Sequence, residues 1–153
     1  MARPIRVEFE DATYHITARG NERRRVFHSD RERELFVETL GECARLHQLR
    51  VHAWCLMPNH YHLIVGTPRG NLSQAMGWLQ TTFTVRFNRQ RRRSGHLFQG
   101  RFKAHLIDTD EYATTLLRYV HLNPVRPRNR AAAVPPERQE GFGQQKGSRR
   151  EWR

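Results

Sequence analysis

Two histidines one residue apart, His60 and His62, carry the clearest chemical signal in the chain. They sit inside Met57-Pro58-Asn59-His60-Tyr61-His62-Leu63-Ile64-Val65. Pro58 lacks a backbone donor and Asn59 suits a turn, so the stretch reads as a turn followed by a strand. Side chains alternate along a strand. His60, His62 and Ile64 therefore share one face, with Tyr61, Leu63 and Val65 on the other. Two imidazoles about 7 Å apart along a strand are able to grip one divalent cation. Tyr119 and Asn123 form a second pair, four residues apart in a helical pattern, so a phenol and an amide oxygen point the same way. If the two faces meet, the parts of a phosphodiester transferase are together: ligands for a cation and a hydroxyl nucleophile. A free phenol titrates near pH ~10, so Tyr119 would need a cation beside it, whether a metal or Arg118, Arg101 or Lys103. The same spacings also suit satisfied histidines in a half-buried strand and an amphipathic core tyrosine. Spacing alone leaves both readings open.

The elements that must position these groups follow from periodicity. Thr13 to Arg19 alternates, with Tyr14, Ile16 and Ala18 on one side and His15, Thr17 and Arg19 on the other, as in a half-buried strand. Gly20-Asn21 ends it in a turn. Ser29-Asp30-Arg31-Glu32 is a capping-box pattern opening a helix on Phe36, Leu40, Cys43 and His47, with Leu35 and Leu46 widening the stripe. Val51 to Met57 reads as a strand that pairs with the histidine strand as an antiparallel hairpin. Leu72, Met76, Leu79, Phe83 and Phe87 predict a second helix, followed by a loop from Asn88 to Gly95. His96 to Ile107 reads as extended, with a bulge at Gly100. Asp108 to Glu111 opens a last helix with core positions Ala113, Leu116, Leu117 and Val120, which Pro124 stops. The order predicts an α+β, split β-α-β fold: a four-stranded antiparallel sheet, helices on one face, and a terminal tyrosine-bearing helix. Residues 1–126 form the domain. Residues 127–153 lack periodicity and read as a basic, disordered tail.

The 153-residue chain carries a formal net charge of +12. All but two of its 27 basic residues are arginines, the lysines being Lys103 and Lys146. Arginine makes forked phosphate contacts and stacks on bases, so this balance points to nucleic acid before a membrane or an acidic protein. No run of apolar residues is long enough to span a bilayer, and Met1 to Arg6 lacks the apolar stretch of a secretory signal. Cys43 and Cys55 suit neither a zinc knuckle nor a disulfide framework, so a reducing, cytoplasmic setting is expected.

Four stretches in order resemble the REP-associated tyrosine transposases, members of the HUH single-tyrosine group. They are Tyr14-His15-Ile16-Thr17-Ala18-Arg19-Gly20-Asn21, Met57 to His62, Gly95-His96-Leu97-Phe98-Gln99-Gly100-Arg101-Phe102-Lys103, and Arg118-Tyr119-Val120-His121-Leu122-Asn123-Pro124-Val125-Arg126. The resemblance covers residues 1–126. It implies a ferredoxin-like fold and metal-dependent cutting and rejoining of single-stranded DNA through a 5′-phosphotyrosine. The implied substrates are REP sequences, short palindromes that form hairpins with a short foot. By position, His60 and His62 match the metal ligands, Tyr119 the nucleophile, and Asn123 a third polar ligand. Pro124 follows Asn123 directly and bears on the shape of that turn. After Arg126 the chain departs from the family's apolar, Trp-containing continuation, which is expected to bear on stability and regulation rather than chemistry.

The implied cation is Mg²⁺ or Mn²⁺, since no cysteine joins the histidines and the third ligand is an amide oxygen; imidazole would also suit Zn²⁺. The DNA-binding set comprises two arginine loops, Asn21 with Arg23, Arg24 and Arg25, and Arg89 with Arg91, Arg92 and Arg93, flanked by Arg101 and Lys103 on a strand. A monomer with the tyrosine helix in cis is expected, with a dimer left open. Two other readings stand beside this one: a rolling-circle initiator or relaxase using the same chemistry, and a sequence-specific binder that does not cut.

Overall fold

The computed structural model describes residues 5–108, together with Thr114, Leu117 and Arg118. Six elements follow in order: β1 (Ala12–Arg19), α1 (Asp30–His47), β2 (Arg50–Met57), β3 (His60–Thr67), α2 (Leu72–Arg91) and β4 (Lys103–Ile107). The strands form one antiparallel sheet in the order β2-β3-β1-β4. This is the α+β, split β-α-β arrangement that the periodicity predicts. Tyr119, Asn123 and the boundary at residue 126 lie outside the described residues.

Both long helices cover the same face of the sheet. Tyr14, Ile16 and Ala18 of β1 and Tyr61, Leu63 and Val65 of β3 meet Phe36, Leu40 and Cys43 of α1 and Met76, Leu79, Phe83 and Phe87 of α2. Aromatic rings hold the centre: Phe36 lies 4.9 Å from Tyr61 and 5.0 Å from Phe83, edge to face with the latter. Truncating such a ring to alanine costs about 3–5 kcal/mol, so this layer supplies much of the folding energy. Tyr61 is fully buried, and its hydroxyl accepts a hydrogen bond from Gln80 Nε2 at 3.2 Å. The α1 start is tied down by Glu32, whose Oε2 accepts the Ser29 N–H at 3.1 Å and the His28 N–H at 2.5 Å. This is the carboxylate half of a capping box.

Three local expectations are corrected. The second helix runs on to Arg91, so Arg89 and Arg91 belong to its last turn rather than to a loop. It stops where Arg92 takes a left-handed conformation (φ 50°). The segment 96–107 is not one strand with a bulge. Gly100 has φ 65°, which breaks the extended backbone, and only Lys103–Ile107 pairs in the sheet. Leu97, Phe98 and Phe102 are pulled into the main core instead, and Arg101 lies outside β4. Leu46 is exposed rather than part of the α1 stripe, because the sheet and α2 already cover the face formed by Phe36, Leu40 and Cys43.

Candidate active site

The face of the sheet away from α1 and α2 carries the histidines. Antiparallel pairing sets Thr17 opposite His62, Arg19 opposite His60, and His15 opposite Ile64, so these side chains share one face. On the next strand, Lys103 stands opposite Thr17 and His105 opposite His15. On the other side, Cys55 pairs with His62 and Met57 with His60. The result is a histidine row across three strands. One flank is a small apolar cluster of Ala53, Cys55, Met57 and Ile64.

His60 and His62 lie with ring centroids 5.1 Å apart and planes at 75°. The Nδ1 of each is engaged. His60 Nδ1 meets Asn59 Oδ1 at 2.7 Å, and His62 Nδ1 meets His15 Nε2 at 2.9 Å. Burial is the main force on their acidity. It pushes His62 down to about 4, with His60 and His15 as smaller contributions. His60 and His15 are lowered too, again chiefly by burial, then by Arg19 and His105 respectively. Burial thus favours the uncharged form of all three rings, which is the state that ligates a cation. Two neutral imidazoles side by side, each held through Nδ1, fit half of a divalent-metal site. Among the described residues no group of three or more His, Cys, Asp or Glu is placed to hold a metal. A third ligand such as Asn123 would have to come from beyond them.

The terminal helix approaches this face. Thr114, Leu117 and Arg118 are helical, and Leu117 packs against the Ala53, Cys55, Met57 and Ile64 cluster. Leu117 is two residues before Tyr119 in sequence. Tyr14 and Tyr61, by contrast, are buried on the opposite face, and burial raises the Tyr61 phenol.

The loops at the His60 end of the sheet converge. The Gly20 N–H donates to Asn59 O at 2.8 Å, and Val26 and Phe27 both donate to Pro58 O. The Asn21–Arg23 turn is thus docked on the turn that leads into His60, with Asn21, Arg23, Arg24 and Arg25 exposed. Arg24 is paired with Glu22 at 2.6 Å, both exposed. The Asn21 N–H donates to Leu97 O and the Gln99 N–H to Arg19 O, which brings the loop before β4 alongside. His28 bridges to the end of α2: its Nε2 meets Arg25 O at 3.1 Å and its ring lies 6.3 Å from Phe87. The two arginine clusters therefore lie at one end of the molecule. Arg89, Arg92, Arg93 and Arg101 are exposed there, as is Lys103 at the start of β4. Arg91 differs, because its Nε donates to the buried carboxylate of Glu32.

The local sequence gives His15 no role. The alternation places it on the open side of its strand, but its meeting with His62 depends on the register between β1 and β3, which no local pattern encodes. The sequence marks Asn59 as a turn residue. Its side chain also holds His60, and its Nδ2 donates to Arg23 O at 3.3 Å.

The described residues thus form a four-stranded antiparallel sheet with a paired-histidine face that a helix approaches. The chain belongs to the family described as transposase IS200 like, whose model matches residues 8–123. A Haemophilus influenzae protein named as a REP-associated tyrosine transposase is 33% identical over 85 residues, covering 48% of either chain. The chain thus spans about half the length of that curated relative. Among solved structures, a REP-associated tyrosine transposase bound to a REP hairpin superimposes with a TM-score of 0.69 at 20% identity, covering 82% of this chain and 74% of its own. A Deinococcus radiodurans protein named as a transposase gives 0.54 at 17% identity, covering 78% and 94%. These likenesses establish a shared fold.

Proposed function

We propose that this protein is a metal-dependent nicking and joining enzyme for single-stranded DNA hairpins of the REP type, with Tyr119 as nucleophile. The observation that carries the reading is the packing of Leu117, two residues before Tyr119, on the sheet face that bears His60 and His62. His60 and His62, with Asn123 as third ligand, would hold Mg²⁺ or Mn²⁺. When bound, that cation polarises the scissile phosphate and offsets the charge developing on it. The Tyr119 oxygen attacks phosphorus and loses its proton to solvent. The P–O3′ bond breaks, and the departing 3′ oxygen takes up a proton. A 5′-phosphotyrosine and a free 3′-hydroxyl result, and attack by another strand's 3′-hydroxyl restores a phosphodiester and frees the tyrosine. Lys103 stands on the same face, one strand beyond Thr17, where its charge favours the anionic transition state. The exposed arginines at the His60 end would hold the hairpin by its phosphates. The chain acts as a monomer in the cytoplasm. Among the described residues no helix is long and apolar enough to cross a membrane.

The test is trapping of a covalent protein–DNA adduct on a denaturing gel with a REP-type hairpin and Mn²⁺. Tyr119→Phe should bind DNA nearly normally and form no adduct. Tyr112→Phe, the control on the same segment, should form it. An adduct surviving in Tyr119→Phe removes Tyr119 as nucleophile, and no adduct with the unaltered protein favours a binder that does not cut.

A further inference from the structure

We propose that His15 and Asn59 are positioning residues that hold His62 and His60 with the proton on Nδ1, so that both Nε2 lone pairs are offered to one cation. The inference rests on the metal-site reading above and adds how that site is aimed.

The geometry of the His15–His62 contact is directional. The nitrogens approach to 2.9 Å while the ring centroids stay 5.2 Å apart, so the rings meet through their edges. With the planes only 11° apart, the two rings lie close to one plane. That is the direction of an imidazole nitrogen's lone pair and of its N–H bond, so this is a hydrogen bond rather than face-to-face stacking. One proton lies between the two nitrogens, and there are two ways to place it. On His15 Nε2, it would force the His62 proton onto Nε2 and block that nitrogen as a ligand. On His62 Nδ1, it leaves His62 Nε2 without a proton and gives His15 its proton at Nδ1. Only the second arrangement suits a metal ligand.

His60 is held in the same way by a different group. Asn59 Nδ2 donates to Arg23 O at 3.3 Å, which fixes which end of the amide is oxygen. The Oδ1 end then faces His60 Nδ1 at 2.7 Å and can only accept, so His60 carries its proton on Nδ1. Both rings reach the same state from opposite sides of the site, one through a neighbouring strand and one through the turn that supports the Arg23 loop.

Two measurements on the full chain test this. Long-range ¹⁵N–¹H NMR on the metal-free protein reads the tautomers directly, with His62→Asn and His60→Asn used to assign the signals. His60 and His62 should both be Nδ1–H, and a proton on Nε2 of His62 overturns the proposal. Mn²⁺ affinity, followed by the EPR signal of the free ion, supplies the second readout. His15→Ala should weaken Mn²⁺ binding about 10- to 100-fold. His15→Gln should recover much of that affinity, because its side-chain oxygen can accept from His62 Nδ1. Unchanged affinity in a folded His15→Ala protein sinks the positioning role alone. Failure of the unaltered protein to bind Mn²⁺ sinks the metal-site reading and this inference with it.

Discussion

Arg91 and Glu32 join the last turn of α2 to the first turn of α1, the guanidinium Nε donating to a carboxylate that is 3% exposed. Glu32 also caps α1 through the His28 and Ser29 N–H groups. Its carboxyl is held below the usual range: burial alone would raise it, and the hydrogen bonds and charge of Arg91 and the backbone donors outweigh that. Arg91 is therefore committed to the fold. Glu32→Ala strands two N–H donors and the arginine, and should cost about 2–3 kcal/mol in urea unfolding. Arg91→Ala should cost about 1–2 kcal/mol, whereas Arg92→Ala should stay within about 0.5 kcal/mol. Equal and negligible effects at all three positions would show the pair to be incidental.

The paired histidines separate binding from cutting. His60→Ala and His62→Ala should each abolish cleavage at millimolar Mg²⁺ while hairpin affinity changes less than about threefold, since phosphate contacts dominate affinity. A gel-shift assay beside the cleavage assay decides it. A large drop in hairpin binding in either variant would make the histidines part of the DNA grip instead.

Acid should loosen the metal-free protein through its buried histidines. His62 titrates at about 4 in the fold against about 6.5 in the unfolded chain, because burial and the neighbouring histidines oppose its charge. The unfolded state then binds more protons between those values. Stability is complete above 6.5 and declines as the pH falls toward 4. His62 alone accounts for a loss of about 2 kcal/mol at pH 5, from the two pKa values through linkage. His15, His52 and His60 shift in the same direction. Urea midpoints at pH 7.5 and 5.0 provide the check; an unchanged midpoint would contradict the burial of a neutral His62.

The two arginine clusters should divide the labour of holding DNA. Replacing Arg89, Arg92 and Arg93 together by alanine should weaken matched and scrambled hairpins alike. It should also flatten the salt dependence, by about 0.7–0.9 log units of slope for each phosphate no longer neutralised. Arg91 is left in place because it serves Glu32. The Asn21 to Arg25 loop is seated on the Pro58-Asn59 turn beside His60, so it can reach bases near the cut. Replacing Arg23 and Arg25 should hurt the matched foot more than the scrambled one. Equal weakening on both substrates for both clusters would reduce the whole end to a general basic surface.

Element order, the buried stripes and the faces that the key residues take are all legible in the local sequence. These are local properties: a period of two puts His60 and His62 together, and the spacing of Leu72, Met76, Leu79, Phe83 and Phe87 defines one face of a helix. Sharing a strand face does not establish which neighbours a side chain meets. The meeting of His15 with His62, forty-seven residues apart, follows from β1 pairing with β3 in one register, and a one-residue slip would turn His15 to the other face. Arg91 looks like its neighbours in sequence and differs only because α2 runs one turn further and meets α1 at Glu32. Gly100 breaks the extended segment because its left-handed backbone lets Phe98 and Phe102 both reach the core. In each case a long-range contact outweighed a local pattern, and such contacts exist only once the sheet has closed and the helices have packed on it.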